Sequence, residues 1–318
     1  MDKIWSIRSA EFFEQCALET FRFQAVRCAP YAEYLALLGV DPMEVERVEE
    51  IPFLPIELFK SHDIYCLESA PEVIFTSSST TGRGVARHMM SSLSNYEEAF
   101  TRAFEAFYGD PSGWSLYGLL PSYLEREGSS LIYMVDRLIE RCGSGGFYLN
   151  NYEQLLEDIG HDTKPKILLG VSYALWDLAE RYAPRLHDTI VMETGGMKGH
   201  REEIAKGEFH KILCEGFGVE EIHSEYGMAE LTSQGYSKGG NIFHTPPWMK
   251  VLIRDINDPM SYVESGIRGG LNIVDLASHD SCSFIQSQDT GRMVECGGFT
   301  VEGRIEASDI RGCNLLVQ

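Results

Sequence analysis

EVIFTSSSTTGRG, residues 72–84, contains the strongest local signal in the chain. A β-like run, EVIFTS at 72–77, leads directly into six consecutive hydroxyl residues, Thr76 to Thr81, which Gly82 follows. Backbone N–H groups and hydroxyls at the end of a strand can bind an anion, so this hydroxyl loop (76–82) is a candidate phosphate site. It is not the nucleotide-binding P-loop, because the lysine of GxxxxGK[ST] is missing. A Ser/Thr-rich surface turn is the alternative that this stretch alone leaves open. The candidate binding residues are Ser77, Ser78, Ser79, Thr80, Thr81 and Gly82.

The sequence around the hydroxyl loop alternates between β-like and helix-like runs as far as residue 230. The β-like runs lie at 72–77, 115–121, 166–171 and 188–194, and the helix-like runs at 93–108, 129–141, 151–159, 172–182 and 200–215. This alternation predicts an α/β fold with a largely parallel sheet whose faces are covered by helices.

Two regions of different character flank this α/β stretch. Residues 9–38 carry apolar residues at helical spacing, whereas Pro52 and Pro55 exclude a regular helix from 48–62. After about residue 245, short β-like segments are separated by glycines. The sequence therefore predicts one unit of three regions, which are a helical N-terminal region and connector (1–70), an α/β core (71–245) and a β-rich subdomain (246–318).

Composition excludes several classes of protein. Of 318 residues, 44% are hydrophobic and 24% charged, which is typical of a folded globular chain rather than a disordered one. A formal net charge of −21 argues against nucleic acid or an anionic membrane surface as a general partner. We find no apolar run long enough to span a bilayer and no signal-peptide pattern, so the expected location is the cytoplasm. The eight cysteines form no CxxC pair, which gives no support for a zinc site.

Two further segments carry residues suited to nucleotide chemistry. In HSEYGMAEL at 223–231, Tyr226 offers a flat face for a base, Gly227 permits close approach and Glu230 is a carboxylate suited to Mg²⁺. We expect Glu230 to open a short helix. Near the end of the chain, Asp289 could accept ribose hydroxyls, and Arg304, preceded by Gly303, could bind a phosphate or the ribose. Taken singly, each of these is also explained as an ordinary surface or turn residue.

The order of these features resembles the adenylate-forming acyl-activating (AMP-binding) superfamily. TSSSTTG is similar to its Ser/Thr/Gly pyrophosphate loop, and EYGMAE to the Tyr-Gly-x-Thr-Glu motif whose glutamate holds Mg²⁺. TGGMKG at 194–199 resembles the double-glycine segment along the adenine, which implicates Gly195, Gly196 and Met197. Asp289 matches the ribose-binding aspartate, and Gly303–Arg304 the pair just before the hinge.

Within that superfamily, the chain resembles the acyl-protein synthetase branch, also called long-chain-fatty-acid–luciferase-component ligase. IPFLPIELFKSH, LLPSYLEREGSSLIYMV and HSEYGMAELTSQGYS all look like it, and the likeness extends over nearly the whole chain. The resemblance implies the N-terminal nucleotide-binding domain of an adenylate-forming enzyme with a β-rich subdomain, without the small C-terminal domain.

The resemblance also implies a reaction. A carboxylic acid, expected to be a fatty acid, would be activated with ATP and Mg²⁺ to acyl-AMP, and its acyl group would pass to a protein thiol. Glu230 would hold the metal, Arg304 would contact the nucleotide and Cys313, in RGCN, would accept the acyl group. The acid would lie near Pro121–Tyr123 and Gly195–Met197. An acyl-reductase or acyl-carrier protein is the implied partner.

Departures from the superfamily pattern keep other interpretations open. Ser79 and Ala229 replace an expected glycine and threonine, and no lysine follows Lys250, although the superfamily's catalytic lysine belongs to the C-terminal domain. The alternatives are an acid–CoA ligase-like enzyme and a nucleotide- or acyl-binding subunit without adenylation activity. For Cys313, the alternative is a small apolar residue packed beside Leu315 and Leu316.

Overall fold

The computed structural model describes residues 2–77, 84–121, 128–195, 204–295 and 297–305. Within these ranges it contains seven α-helices, which are α1 (Ala10–Arg27), α2 (Ala29–Leu38), α3 (Leu93–Tyr108), α4 (Ser130–Cys142), α5 (Tyr152–His161), α6 (Ser172–Tyr182) and α7 (Lys206–Phe217). None of the helices in these ranges has both the length and the apolar character needed to cross a membrane.

The same ranges contain fourteen strands. They are β1 (Leu54–Pro55), β2 (Val73–Thr76), β3 (Arg87–Met90), β4 (Ser115–Leu119), β5 (Gly145–Tyr148), β6 (Lys166–Val171), β7 (Thr189–Thr194), β8 (Ile222–Tyr226), β9 (Gly235–Ser237), β10 (Phe243–His244), β11 (Met249–Arg254), β12 (Gly269–Asp275), β13 (Phe284–Gly291) and β14 (Gly303–Arg304). They form a central sheet, a C-terminal sheet and a two-stranded hairpin.

The central sheet has the strand order β10-β9-β8-β7-β6-β4-β5. Its pairs from β5 through β4, β6 and β7 to β8 are parallel, while β9 and β10 join antiparallel at one edge. Every residue of β6, KILLGV, the middle one of the five parallel strands, is buried, because both faces of a parallel sheet are covered. The predicted α/β fold is confirmed.

Helix α4 illustrates why these segments are helical. Its buried residues Met134, Val135, Leu138 and Cys142 recur at helical spacing and form one apolar face. The hydroxyl of Ser129 accepts a hydrogen bond from the Ile132 N–H at the N-terminus. The helix therefore has a cap and a core-facing stripe, both of which are legible in the sequence.

The hairpin of β2 and β3 differs from the sequence-based expectation. The run at 72–77 does form a strand, but it pairs antiparallel with β3 rather than joining the parallel sheet. A short connection between two strands favours a hairpin, since a parallel pair needs a long crossover. The hydroxyl loop therefore follows one strand of this hairpin and precedes the other.

The C-terminal sheet includes the strands that follow residue 245, where the sequence predicts a β-rich region. β11, β12 and β13 pair antiparallel, and the short strand β14 pairs with β13. β1, from the proline-rich connector, pairs in parallel with β13 on the side opposite β12. The connector therefore contributes a strand to the C-terminal sheet, and its prolines fit this edge position. The boundaries near residues 70 and 245 stay a prediction.

Candidate active site

The predicted glycine and tyrosine positions follow two neighbouring parallel strands of the central sheet. Gly195 comes directly after β7, and Tyr226 ends β8 just before Gly227. Gly195 has a φ of 72°, a left-handed conformation that favours glycine. The Ser172 hydroxyl donates a hydrogen bond of 2.9 Å to the Gly195 carbonyl oxygen. Ligands of open α/β sheets bind at these carboxyl ends, so the predicted residues lie where the fold provides a site.

Tyr226, Asp289 and Arg304 contact one another across two sheets. The Tyr226 hydroxyl donates to Oδ2 of Asp289 at 2.8 Å, and Nε of Arg304 lies 3.5 Å from Oδ1 of the same carboxylate. Asp289 and Arg304 are paired residues of β13 and β14. The Tyr226 ring packs edge-on against Phe243 and Phe299, and burial raises the pKa of its hydroxyl well above the usual range. The Arg304 side chain is 77% exposed, so it is accessible to a ligand.

Position 227 favours glycine because the carboxylate of Glu225, two residues earlier, leaves no room for a side chain. A Cβ atom at this position would lie 2.5 Å from Oε1 of Glu225. The other oxygen of Glu225 accepts a 2.5 Å hydrogen bond from the Thr194 hydroxyl on β7. Burial, followed by the nearby Glu193, raises the pKa of Glu225 to about 7 although the Thr194 bond opposes it. A largely protonated carboxyl group therefore lies beside the glycine of the predicted motif below pH 7.

Glu230 lies in a turn, so the predicted short helix is wrong. The Leu231 N–H donates to the Met228 carbonyl oxygen at 3.1 Å, and no helix continues from this turn. The reason is that Thr232 and Ser233 turn their backbone N–H groups toward the Asp275 carboxylate. Because these N–H groups donate to Asp275, they do not form the hydrogen bonds that would continue a helix.

The Glu230 carboxylate is buried without a cation of its own. Glu230 is only 6% exposed, and burial raises the pKa of its carboxyl group. Lys60 and Arg304 lower this pKa through longer-range attraction, but among the described residues none forms an ion pair with Glu230. Buried carboxylates are normally paired or bind a metal.

These surroundings fit a magnesium ion. Mg²⁺ in nucleotide sites is commonly held by one or two carboxylates, with phosphate oxygens and water completing the shell. Within the described ranges no group of three or more His, Cys, Asp or Glu side chains could hold a metal ion. Glu230 is a buried carboxylate of the type that such a site uses, and its role as a metal ligand is a prediction.

The hairpin contacts the Glu230 turn through His88. Its Nδ1 lies 2.8 Å from the Ala229 carbonyl oxygen, and the residue is 1% exposed. Burial lowers the pKa of His88 to about 4, so the ring is neutral and donates its Nδ1 proton to the carbonyl. Directly after the neighbouring strand β2, the Ser77 N–H donates to the Ala86 carbonyl oxygen at 3.1 Å, and the Ser77 hydroxyl accepts from the Ala86 N–H at 3.0 Å. The base of the hydroxyl loop is thus fixed beside the Glu230 turn.

A second buried carboxylate, Glu193 on β7, has basic partners. Nζ of Lys206 lies 2.7 Å and Nε2 of His210 lies 3.6 Å from its Oε1, while Ser172 donates to Oε2 at 3.1 Å. Burial alone would raise the pKa of Glu193, but the Lys206 ammonium and hydrogen bonds from the surrounding groups lower it to about 2. The Lys206 ammonium also lies 5.0 Å from the centre of the Phe243 ring. Phe243 in turn packs on Tyr226, so the Glu193–Lys206 ion pair is connected to the candidate site through the Phe243 ring.

Several predicted residues lie outside the described ranges. They are Ser78, Ser79, Thr80, Thr81 and Gly82 of the hydroxyl loop, Gly196 and Met197 of the double-glycine segment, and Cys313. Of the predicted acid pocket, Pro121 and Gly195 are described. The roles of all the predicted site residues stay predictions.

The sequence alone does not reveal the contacts of four residues near the site, which are Glu193, Lys206, Glu225 and His88. Glu193 and Lys206 are separated by 13 positions on a strand and a helix, and no motif links them. The EYGMAE segment contains Glu225, but only pairing with β7 places Thr194 next to it. A single histidine in β3 gives no signal until the hairpin packs against the Ala229 turn.

Comparison with solved structures identifies the fold. No protein-family model and no curated protein sequence matches the chain. The crystal structure of 2-hydroxyisobutyryl-CoA ligase in the postadenylation state, in complex with R3-HIB-AMP, matches with a TM-score of 0.70 and 14% identity. That match covers 96% of this chain and 70% of the ligase. The fold is that of the adenylate-forming ligases.

Two further structures share the adenylate-forming ligase fold. ATP-bound MatB from Rhodopseudomonas palustris matches with a TM-score of 0.55 and 13% identity, and the amide bond synthetase McbA from Marinactinospora thermotolerans with 0.50 and 18%. Each match covers 74% of this chain and 49% of the other protein, so the chain spans about half the length of these proteins. At such identities the likeness concerns the fold alone.

Proposed function

We propose that the protein activates a carboxylic acid with ATP to form acyl-AMP and pyrophosphate. A carboxylate oxygen of the acid attacks the α-phosphorus, and the bond from that phosphorus to the oxygen bridging to the β-phosphate breaks. Pyrophosphate leaves with this bonding pair. The protein needs no nucleophile of its own for such a step, because positioning and charge neutralisation lower the barrier.

One observation carries this proposal more than any other. Glu230 is a buried carboxylate that forms no ion pair with any described residue, and it lies within electrostatic reach of the contacting residues Asp289 and Arg304. These three residues lie near the carboxyl end of β8. The same fold occurs in 2-hydroxyisobutyryl-CoA ligase, whose structure in the postadenylation state contains R3-HIB-AMP. A cation site beside a group suited to ribose and phosphate is what ATP requires.

Each described residue has a distinct role in the proposed site. Tyr226 presents its ring to the base and orients Asp289, whose carboxylate accepts the ribose hydroxyls. Arg304, paired with Asp289, contributes positive charge toward the ribose or the phosphate. Glu230 would hold Mg²⁺, which when bound neutralises phosphate charge. Residues 77–82 would bind the β- and γ-phosphates through N–H and hydroxyl donors.

Acid-dependent exchange of labelled pyrophosphate into ATP tests the proposal. A panel of acetic, 2-hydroxyisobutyric, benzoic and tetradecanoic acids samples small, branched, aromatic and long-chain carboxylates. We expect at least one class to support exchange that depends on both the acid and Mg²⁺. Retained ATP binding without exchange for any class would instead indicate a nucleotide-binding subunit that does not adenylate.

We further propose that the acid is a fatty acid and that the acyl group passes to the thiol of Cys313. The thiolate attacks the acyl carbonyl carbon, a thioester forms and AMP leaves with the electron pair of the broken acyl–oxygen bond. The acyl-protein synthetase resemblance supports this acceptor, whereas the fold shared with a CoA ligase favours CoA.

The variant Cys313→Ser separates these two acceptors. We expect exchange to stay at the wild-type rate, because Cys313 has no part in adenylation, while covalent labelling by ¹⁴C-tetradecanoic acid and ATP disappears. Labelled protein is separated by denaturing gel, and its thioester is identified by release with neutral hydroxylamine. Labelling that persists in Cys313→Ser, or release of acyl-CoA on addition of CoA without any labelled protein, would contradict the protein-thiol proposal.

A further inference from the structure

The segment that carries Glu230 has irregular backbone in a buried place. Between the end of β8 and the start of β9, Leu231, Thr232, Ser233 and Gln234 are all buried, as is Glu230. A strand or helix fixes its residues through a repeating hydrogen-bond pattern, but this segment has none. The position of Glu230 therefore depends on individual contacts at either side of it.

The contact on the C-terminal side comes from Asp275 at the end of β12. This fully buried carboxylate accepts from the Thr232 N–H at 2.8 Å, and from the Ser233 N–H and hydroxyl at 2.7 Å each. The Ser233 hydroxyl in turn accepts from the indole N–H of Trp248 at 2.8 Å. The C-terminal sheet thus holds the chain two and three residues after Glu230.

The contact on the N-terminal side comes from His88 on the hairpin. Its Nδ1–H donates to the carbonyl oxygen of Ala229, the peptide group that directly precedes Glu230. The ring is packed edge-on against Phe59, and its strand partner is Phe75 on β2, one residue before Thr76. The same hairpin that leads into the hydroxyl loop thus holds the peptide next to the metal carboxylate.

We propose that His88 is a positioning residue for Glu230, and that its hydrogen bond to the Ala229 carbonyl keeps the metal carboxylate in fixed register with the hairpin of β2 and β3. This inference rests on the proposed function, in which Glu230 and the hydroxyl loop bind one Mg·ATP. If the hairpin and the turn moved independently, the cation and the phosphates that it neutralises would lose their common geometry. The hydrogen bond from His88 to the Ala229 carbonyl couples the hairpin directly to the peptide group that precedes Glu230.

Three variants distinguish positioning from general stability. His88→Ala removes the donor and leaves a buried carbonyl without a partner. His88→Asn retains an N–H donor close to the position of Nδ1. Met89→Ala is the matched control, because it shortens a buried side chain on the opposite face of the same strand and leaves the imidazole in place.

Two measurements report on the turn without relying on turnover. The first is amide hydrogen exchange of peptides covering residues 226–234 in the ligand-free protein. The second is Mn²⁺ binding, followed by electron paramagnetic resonance in the presence of a non-hydrolysable ATP analogue. Mn²⁺ replaces Mg²⁺ as the probe because it prefers the same oxygen ligands. We expect His88→Ala to speed exchange in this segment and to weaken Mn²⁺ binding about tenfold, which corresponds to one hydrogen bond.

The conservative variant decides the outcome. We expect His88→Asn to restore both exchange protection and Mn²⁺ binding, and Met89→Ala to leave both near the wild-type values. The positioning role is overturned if His88→Ala behaves like Met89→Ala, or if His88→Asn behaves like His88→Ala. Failure of the proposed function appears separately, as wild-type protein without acid-dependent pyrophosphate exchange. In that event, the hydrogen-exchange comparison still decides whether His88 holds the Glu230 turn.

Discussion

Glu193 and Glu230 are both buried carboxylates near the carboxyl ends of the central strands, yet their surroundings are opposite. Glu193 has the Lys206 ammonium at 2.7 Å, and this contact helps to lower its pKa to about 2. Glu230 forms no ion pair within the described residues, and burial raises its pKa. The charge of a buried carboxylate that has its own cation is already neutralised within the protein. One without a cation either takes up a proton or binds a cation from outside, and we assign the second outcome to Glu230 in the proposed metal site.

Glu225 shows a third arrangement on the strand between them. It too forms no ion pair within the described part of the chain, but its neighbour Thr194 supplies a hydroxyl, and burial raises its pKa to about 7. Protonation can therefore remove its charge near neutral pH. The pKa values of the three carboxyl groups differ because their surroundings differ, although all three are glutamates in buried positions.

The largest effect that we expect is on catalysis by Glu230→Gln. A neutral amide binds Mg²⁺ poorly, so acid-dependent pyrophosphate exchange should fall roughly a thousandfold while the protein stays folded. Initial exchange rates across a Mg²⁺ titration provide the measurement. Glu193→Gln is the matched control and should keep the wild-type Mg²⁺ dependence. Equal losses in the two variants, or an unchanged rate in Glu230→Gln, would remove the distinction drawn between these carboxylates.

The next effect is on the pH dependence of stability at Glu225. Its pKa is about 7 in the folded protein and near 4.5 ordinarily, so the folded state holds this proton more tightly. The resulting stabilisation is fully present below about pH 4.5 and is lost as the pH rises through 7. Glu225→Gln lacks this change, so its free energy of unfolding relative to wild type should rise by about 3 kcal/mol from pH 4 to pH 8. Urea unfolding at both pH values measures it, and a pH-independent difference would contradict the assignment.

A smaller loss of stability should follow Glu193→Gln. The amide can still accept hydrogen bonds, and the Lys206 side chain is 29% exposed and can reach water, so we expect a loss of about 2 kcal/mol at pH 7. The sign of the pH effect is opposite to that of Glu225. The stabilisation by Glu193 is present above about pH 4.5 and disappears as the pH falls toward 2. Urea unfolding at pH 7 and pH 3 should show the difference shrinking at low pH, and a difference that grows would refute it.

The sequence predicted regular elements better than contacts between them. α3, α6 and β6 occupy the predicted ranges, because their apolar periodicity is clear over ten or more residues or in one continuous buried run. β5 was missed because it has only four residues and begins with two glycines. The sequence predicts a short helix at Glu230 where the structure has a turn, since nothing local reveals that Asp275 binds the following N–H groups.

The same contrast applies to the candidate site, where the residues were more predictable than the contacts between them. Tyr226, Asp289 and Arg304 were selected by resemblance, and the described structure brings them into contact. The partner of each buried carboxylate was not predictable, because Lys206 reaches Glu193 only after α7 packs on the sheet. Whether a glutamate is ionised, neutral or free to bind a cation depends on such contacts. Motif and spacing alone do not contain that information.

The smallest effect that we expect is a gain of activity in Ala229→Thr. The superfamily motif has a threonine at this position, and its hydroxyl would add one hydrogen-bond donor next to Glu230. The exchange rate should rise about threefold to tenfold, the range of a single hydrogen bond. Ala229→Val has nearly the same shape without the hydroxyl and is the control. A gain of equal size in both variants would point to packing rather than to the donor.

The transfer of an acid oxygen to AMP tests the central claim most directly. The acid that best supports exchange is labelled with ¹⁸O in both carboxyl oxygens, and hydroxylamine traps the activated acyl group. Mass spectrometry then locates the label in the nucleotide. The account predicts one ¹⁸O atom in AMP and none in pyrophosphate, because the carboxylate oxygen becomes the bridge to the α-phosphorus. Unlabelled AMP, or labelled inorganic phosphate released together with ADP, would contradict acyl-AMP formation by this protein.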